Sequence, residues 1–175
     1  MNYKSFIRTI PDFPRPGIRF RDITPLLAHG ATFRHVIAEL AARYDGRVDK
    51  IVGIEARGFI FGAPLAHAIG AGFVPVRKPG KLPGEAIGHD YALEYGTNRI
   101  EVHVDGIARG ERVVIVDDLL ATGGTALAAV ELAARCAASV VECAFVIELH
   151  DLPGRARLEQ AGQRVHALCG FTEAE

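Results

Sequence analysis

The chain alternates between short, continuous apolar runs and segments in which apolar residues recur every three or four positions. Continuous runs rich in β-branched residues are typical of strands buried on both faces of a parallel sheet, and the longer spacing is typical of helices. The runs that predict strands are 48–54, 72–76, 113–116, 140–149 and 165–168. The alternation predicts an α/β fold with a central, mainly parallel sheet flanked by helices.

Helical spacing is clearest ahead of the first of these strands. Phe33, Val36, Ile37 and Leu40 lie at positions i, i+3, i+4 and i+7, so a helix is expected from residue 31 or 32 to the Asp-Gly pair at 45–46. Further helices are expected at about 59–69, from the glycine turn at 122–125 to 136, and in a short segment after 150–154.

Two other segments follow neither pattern. Residues 90–95 and 99–104 flank Gly96-Thr97-Asn98 with alternating polar and apolar positions, which predicts a β-hairpin with one solvated face. Residues 1–25 contain four prolines and Gly17 among aromatic and basic residues, which predicts an irregular arm rather than a long helix.

Length and charge limit the possible classes of protein. A chain of 175 residues, 49% of them hydrophobic, is long enough for one buried core and short for two, so a single domain over residues 1–175 is expected. The net charge of −1, without a long Lys or Arg run, provides no electrostatic footprint for nucleic acid.

The cysteines and the apolar runs bear on location. Cys136, Cys143 and Cys169 form no C-x-x-C pair and lie in apolar contexts, as expected in a reducing compartment. The chain does not start with a charged segment followed by an apolar one, and no apolar run approaches ~18 residues. We therefore expect a cytoplasmic protein without a membrane partner.

The most informative stretch joins the apolar run 113–116 to Asp117, Asp118 and the small-residue turn 122–125. Glycine lets backbone N–H groups approach a ligand closely, threonine adds hydroxyl groups, and a helix start carries partial positive charge, so this turn suits a phosphate. The turn contains no Lys and lacks the spacing of a triphosphate P-loop. Because carboxylates repel phosphate, the acidic pair suits ribose hydroxyls and Mg²⁺ instead.

Residues 113–125, VVIVDDLLATGGT, resemble the phosphoribosyl pyrophosphate signature of the type I phosphoribosyltransferases over the whole motif. Three further segments, at 13–23, 55–59 and 77–84, resemble the adenine-specific members of that family. The resemblance covers most of the chain. It implies the fold of that family, with a small hood and a flexible β-hairpin loop.

The resemblance also implies which residues contact each part of the substrates. The 5′-phosphate is assigned to Ala121, Thr122, Gly123, Gly124 and Thr125. The pyrophosphate is assigned to Glu55, Ala56, Arg57, Arg77, Lys78 and Lys81. The base is assigned to Arg19, Phe20, Arg21 and Leu119, with Tyr95 in the hood loop. The catalytic residues would be Glu94, Arg57, Asp117 and Asp118, with Mg²⁺ at Asp117 and Asp118 directly or through water or ribose hydroxyls.

The residues themselves support these assignments unequally. Arg57 and Arg77 follow predicted strands, and the carboxyl ends of parallel strands share one edge of a sheet, where ligands gather. Phe20 between two arginines suits stacking on a flat base, although the residues alone favour a simple anchor between arm and core. The placement of Glu94 beside the base depends on the resemblance.

The family further implies a non-proline cis peptide at Glu55–Ala56, a base-binding arm or hood at 1–30, a mobile loop and hairpin at 78–104, and a homodimer. The expected reaction is transfer of the phosphoribosyl group from phosphoribosyl pyrophosphate to adenine, with AMP and pyrophosphate as products. Two alternatives stay open: a transferase for hypoxanthine, guanine or xanthine, and a non-catalytic regulator that senses phosphoribosyl pyrophosphate.

Overall fold

The computed structural model describes residues 1–92 and 96–175 of the chain. In chain order the strands are β1 (Arg8–Ile10), β2 (Phe20–Asp22), β3 (Lys50–Ile54), β4 (Gly72–Val76), β5 (Ala86–Ala92), β6 (Thr97–His103), β7 (Arg112–Leu120), β8 (Ser139–Leu149) and β9 (Val165–Phe171). The α-helices are α1 (Thr24–Ala28), α2 (Gly30–Tyr44), α3 (Gly58–Ile69), α4 (Gly124–Arg135) and α5 (Gly154–Gln160). Within the described residues, no helix is both long enough and apolar enough to cross a bilayer.

Five strands form the central sheet in the order β4-β3-β7-β8-β9, and every neighbouring pair is parallel. This confirms the predicted α/β class and the predicted strand positions. Because β3, β4 and β7 are neighbours with the same direction, their carboxyl ends lie together at one edge of the sheet. The segments that follow these three strands are therefore brought side by side.

The continuous apolar run in β7 serves two cores. Val113 and Ile115 face one core, which also includes α4 and the hairpin residues Ile100 and Val102. Val114 and Val116 of the same strand face the other core, which is covered by α2 and α3. A strand buried on both faces has no polar positions to alternate with, which is why the sequence reads as an unbroken β-branched run.

Strand β7 is longer than the sequence predicted. The expected strand ended before the acidic pair, whereas the ladder with β8 continues through Asp117, Leu119 and Leu120, which pair with Phe145, Ile147 and Glu148. The acidic pair therefore belongs to the strand and inherits its alternation. Asp118 is buried and Asp117 is half-buried.

The arm also contains more regular structure than predicted. A 3₁₀ turn at Tyr3–Phe6 precedes β1, and β1 pairs antiparallel with β2 so that Thr9 lies opposite Arg21. The proline-rich loop between these strands contains a cis peptide at Phe13–Pro14. Local breakers in the sequence mark this loop correctly, but the two short strands exist because they pair with each other.

The β5–β6 hairpin was predicted in the right place with the wrong register. Pairing begins at Ala86 and His103, and Thr97 and Asn98, which were expected in the turn, pair with Ala92 and Tyr91. The hairpin forms a separate two-stranded sheet and packs along α4. The buried side chains of Ile100 and Val102 give it the predicted apolar face.

A buried carboxylate on β8 forms hydrogen bonds that hold α2 against the sheet. Glu142 accepts hydrogen bonds from Arg43 Nε at 2.5 Å and from the Tyr44 hydroxyl at 2.8 Å. Burial raises the pKa of Glu142, but these hydrogen bonds and the Arg43 charge outweigh it and lower the pKa to about 2. The carboxylate therefore stabilises the fold above its ordinary pKa, and this contribution is lost as the pH falls through about 2.

Arg43→Met is expected to lower the free energy of unfolding by about 2 kcal/mol at pH 7, because it leaves the Glu142 charge buried with fewer donors. The difference from wild type should shrink towards pH 3, where the carboxyl of the variant takes up a proton. Urea denaturation at the two pH values measures both effects. Arg164→Met is the matched control: its Nη2 lies 3.4 Å from Glu142 Oε1 with the side chain 61% exposed, so a loss of under about 0.5 kcal/mol is expected. Equal losses from the two variants would contradict this account.

Candidate active site

A tight turn joins β7 to α4 at residues 121–123. Gly123 has a φ of +79°, in the left-handed region that favours glycine, and α4 begins at Gly124. The first N–H groups of a helix have no acceptor within the helix, so they offer partial positive charge to an anion. A cavity of about 90 Å³ opens at this turn, and its lining includes Asp117, Leu119, Thr122, Gly123, Gly124 and Thr125.

Helix α5 supports the turn from behind. Arg157 Nη1 donates a hydrogen bond to the Thr122 carbonyl at 2.8 Å. At Gly154 a side chain would collide with the Ala121 carbonyl oxygen, so this glycine allows α5 to approach the turn. Neither residue was predicted from the sequence, since both lie some 30 positions beyond the turn and carry no motif of their own.

The acidic pair lies within β7, shortly before the turn. Asp118 is only 3% exposed, and Asp117 Oδ1 accepts a hydrogen bond from the Asp118 backbone N–H at 2.8 Å. Burial, together with the negative charge of Asp118, raises the pKa of Asp117 well above its ordinary value. Burial also raises the pKa of Asp118, while the Arg57 charge opposes this. The site thus holds two carboxylates that are poorly compensated without a cation or a hydroxyl donor.

Arg57 lies between the acidic pair and the arm. Its Nε is 3.0 Å from Asp118 Oδ2, and its guanidinium carbon is 5.4 Å from the centre of the Phe20 ring, within cation–π range. This ion pair does not have hydrogen-bond geometry, and the buried Asp118 Oδ2 has no hydrogen-bond donor among the described residues. The predicted pyrophosphate residue therefore contacts the predicted base platform and one predicted catalytic carboxylate.

Gly58 makes this arrangement possible. A Cβ atom at Gly58 would lie 2.6 Å from the Val116 carbonyl oxygen and 3.1 Å from Asp117 Oδ1. The start of α3 therefore touches the end of β7 directly. The preceding peptide, Glu55–Ala56, is cis, as the family resemblance implied.

The three arm residues predicted to bind the base point in different directions. Phe20 packs edge-on against Phe13 at 5.1 Å and faces Arg57. Arg21 is buried, donates to the Thr172 carbonyl at 3.0 Å and lies over the Phe171 ring. The Arg19 guanidinium donates to the Glu173 carbonyl. The side chains of both arginines line a separate cavity of about 450 Å³ beside the C-terminal segment.

The predicted cationic loop starts at the end of β4. Glu55 accepts hydrogen bonds from Arg77 Nη2 at 3.2 Å and from the Lys78 backbone N–H at 2.9 Å, and these donors lower the pKa of Glu55. Arg77 Nη1 also donates to the Lys81 carbonyl at 2.9 Å. Glu55 therefore orients the loop that presents Lys78 and Lys81. Two other predicted residues, Glu94 and Tyr95, lie outside the described residues.

A family model and two sequence relatives show which proteins this chain resembles. A family model described as the phosphoribosyl transferase domain matches residues 22–162. The adenine phosphoribosyltransferase of Methylobacillus flagellatus is 56% identical over 176 residues, which cover 100% of each chain. The adenine phosphoribosyltransferase of Nitrosospira multiformis is 58% identical over 172 residues, which cover 98% of each chain.

Solved structures agree with these sequence relatives. The crystal structure of adenine phosphoribosyltransferase from Thermoanaerobacter pseudethanolicus superposes with a TM-score of 0.92 at 50% identity, covering 96% of this chain and 97% of that one. The enzyme from Saccharomyces cerevisiae, solved in complex with an imino-altritol bisphosphate and adenine, gives a TM-score of 0.86 at 42% identity, covering 97% and 95%.

Asp117→Asn is expected to stabilise the ligand-free protein at pH 7. A raised folded-state pKa means that the native state binds the proton more tightly than the unfolded chain does. The unfolding free energy of wild type therefore falls as the pH rises from about 4 through the raised pKa. The neutral amide avoids this loss, so a gain of about 1–2 kcal/mol at pH 7 and little at pH 4 is expected in thermal unfolding without divalent cations.

Asp49→Asn provides a control of opposite sign. Hydrogen bonds from Arg112 lower the pKa of Asp49 to about 2, so its ionised form supports the fold at pH 7. This variant should be slightly less stable than wild type at pH 7. An Asp117→Asn protein that melts at or below the wild-type temperature at pH 7 would show that the acidic pair is not under electrostatic strain.

Proposed function

The chain belongs to the phosphoribosyltransferase family and, within it, to the adenine phosphoribosyltransferases, and from this premise we propose how its residues share the reaction. The enzyme transfers the 5-phosphoribosyl group of phosphoribosyl pyrophosphate to adenine in purine salvage. The bond from the anomeric carbon to a pyrophosphate oxygen breaks, the bond to N9 of adenine forms, and N9 loses its proton. The products are AMP and pyrophosphate.

One observation supports the assignment of the reacting site: Asp117 of β7 lines the same cavity as the glycine turn, and Asp118 is buried beside it. In our proposal, residues 121–125 hold the 5′-phosphate through backbone N–H groups and the hydroxyls of Thr122 and Thr125. A sugar anchored there places its ring over the end of β7. Its diol then lies within reach of Asp117 and Asp118.

The acidic pair fits Mg²⁺ as well as ribose hydroxyls. Among the described residues there is no cluster of three or more His, Cys, Asp or Glu side chains that would form a complete protein cage. Mg²⁺ characteristically uses one or two carboxylates together with water and substrate phosphates. Buried Asp118 Oδ2, which lacks a hydrogen-bond donor, supports such a site. When bound, the metal would neutralise charge on the departing pyrophosphate.

The cationic loop and Arg57 neutralise the remaining negative charge on the pyrophosphate. We assign Lys78, Lys81 and Arg77 to the leaving group, with Glu55 and the Ala56 backbone shaping this loop. Arg57 exchanges its contact with Asp118 for a phosphate oxygen. Fixed positive charges around the leaving group and fixed negative charges at the ribose stabilise a transition state in which the sugar carries positive charge.

The base platform in this proposal is Phe20, with Leu119 from β7 on the opposite side. The Arg19 and Arg21 guanidinium groups contact the C-terminal segment. In this proposal these two residues therefore bind the base through their backbone N–H and C=O groups. Glu94 is assigned to the base proton and Tyr95 to the hood on the strength of the family resemblance alone. In this assignment residues 1–30 form the arm and residues 78–104 the mobile loop and hairpin of a single domain.

We also propose a homodimer through the outer face of α3. The inner face of this helix buries Phe61 and Leu65, while Ile60, Ala63 and His67 lie exposed on the other face. A helix that is apolar on both sides is typical of one covered by a partner. Since α3 begins directly after Arg57, a second copy seated there would adjoin the site.

The substrate test is a panel of free bases with phosphoribosyl pyrophosphate, with Mg²⁺ and with excess chelator. Adenine with Mg²⁺ should give AMP and pyrophosphate, chelator should abolish turnover, and hypoxanthine, guanine and xanthine should react at least ~10²-fold more slowly, since a site built for one set of donors and acceptors rejects another. Asp117→Asn should fold normally and lose ~10²–10³ in kcat/KM. Preference for another base would favour the alternative transferase, and binding without turnover of any base would favour the regulator.

The dimer is tested by light scattering after size exclusion. Wild type should elute at twice the chain mass of 18.8 kDa. Ile60→Glu should shift the protein to the monomer, because a carboxylate cannot be buried there without a partner. Val104→Glu, which changes another exposed apolar residue away from α3, is the control and should remain dimeric. A monomeric wild type, or a dimeric Ile60→Glu protein, would contradict the proposed interface.

A further inference from the structure

The hairpin reaches the phosphate turn with the side chain of Tyr91. A hydrogen bond of 3.1 Å joins the Thr125 and Tyr91 hydroxyl groups, and both side chains are half-buried. The Tyr91 ring also lies against the start of α4, where a Cβ atom at Gly124 would be 3.5 Å from ring atom Cδ2. A side chain of β5 therefore contacts two of the five residues assigned to the 5′-phosphate.

Between α4 and the described residues of the hairpin, this contact is one of two hydrogen bonds. At the other end of the helix, Arg135 Nη1 donates to the Gly88 carbonyl at 2.6 Å. Between these points Ile87 and the Tyr91 ring pack against the core that includes α4 and Ile115. The Tyr91 hydroxyl is thus presented at a fixed place, and its contact with Thr125 is the one near the proposed substrate.

The direction of the hydrogen bond depends on what fills the cavity. A threonine hydroxyl has one proton to donate and can accept a hydrogen bond at the same time. Without a ligand, the two hydroxyl oxygens are 3.1 Å apart and either group can donate to the other. A phosphate dianion is a stronger acceptor than a phenol oxygen, so Thr125 then donates to the phosphate and accepts from Tyr91. In such a chain of hydroxyls each hydrogen bond polarises and strengthens the next.

We propose that Tyr91 is a positioning residue for the 5′-phosphate, acting through Thr125. The inference extends the proposed function and rests on its phosphate site. Tyr91 strengthens binding of ligands that carry a 5′-phosphate and leaves binding of the base and the ribose unchanged. By linkage, the same ligands secure the hairpin against α4, whereas an unphosphorylated riboside does not.

Tyr91→Phe keeps the ring and removes the hydroxyl, so it tests this role directly. Calorimetric titration should show a loss of AMP affinity of about five- to tenfold, the usual effect of losing one hydrogen bond in a charged chain, with adenosine affinity unchanged. The KM for phosphoribosyl pyrophosphate should rise similarly, with that for adenine unchanged. In hydrogen exchange, AMP should protect β5 in wild type more than adenosine does, and this difference should vanish in Tyr91→Phe.

Two further variants distinguish a role of the Tyr91 hydroxyl in positioning the phosphate from a general role in holding the hairpin against α4. Arg135→Met removes the other hydrogen bond between the hairpin and α4, so the ratio of AMP to adenosine affinity should stay at the wild-type value. In a Thr125→Val background, Tyr91→Phe should have no additional effect on AMP affinity. Unchanged AMP affinity in Tyr91→Phe, or an equal loss in Arg135→Met, would overturn the proposal. Wild type that binds neither AMP nor phosphoribosyl pyrophosphate would instead overturn the proposed function.

Discussion

Burial of two adjacent carboxylates at the end of the central strand is the constraint on which this site depends. Strand β7 pairs with β3 as far as Val116 and with β8 through Leu120, and Asp118 beyond the β3 pairing is still only 3% exposed. Placing negative charge there is unfavourable without a compensating group. Arg57 provides part of the compensation to Asp118, and a ribose diol with Mg²⁺ would provide the rest. The protein without ligand thus keeps an electrostatic strain that the ligands proposed above would relieve.

The close approach of backbones around β7 follows from the same constraint. Gly58 lets the start of α3 touch the strand end, and Gly154 lets α5 touch the following turn. Because glycine has no side chain, the backbones touch at both places and no bulky group separates the elements. The cavity that remains is small, and the backbone and hydroxyl groups of the turn face Leu119, Leu120 and Phe145 across it. The side formed by the turn suits a phosphate.

How far the sequence predicted the molecule depends on whether the deciding interaction was local. The run at 113–116 and the spacing from Phe33 to Leu40 predicted their elements, because burial on two faces or on one face leaves a local pattern. The extension of β7 through Leu120 was missed because it depends on pairing with β8. The direction of the Arg21 side chain is set by the distant Phe171.

The site followed the same rule. The turn, the acidic pair and the cationic loop could be proposed as a site from the sequence, because each is a continuous motif that follows an apolar run. Tyr91, Gly154 and Arg157 could not, since each acts on the turn from another element and nothing in its neighbours along the chain marks it. For the hairpin, the alternating pattern showed which two segments pair but not which residues lie opposite each other. The contacts along α4 help to determine that register.

The hairpin shares no strand with the central sheet. The five parallel strands, which set the position of the carboxylates and the phosphate turn, therefore keep their register whatever the length of β5 and β6. The hairpin is nevertheless joined to the end of β4 by two backbone hydrogen bonds between Arg77 and Glu101, at 2.9 and 2.8 Å, so a change in its length must leave this bridge in place. An engineer who keeps this bridge and the contact at Thr125 can therefore lengthen or shorten the hairpin without changing the register of the five parallel strands.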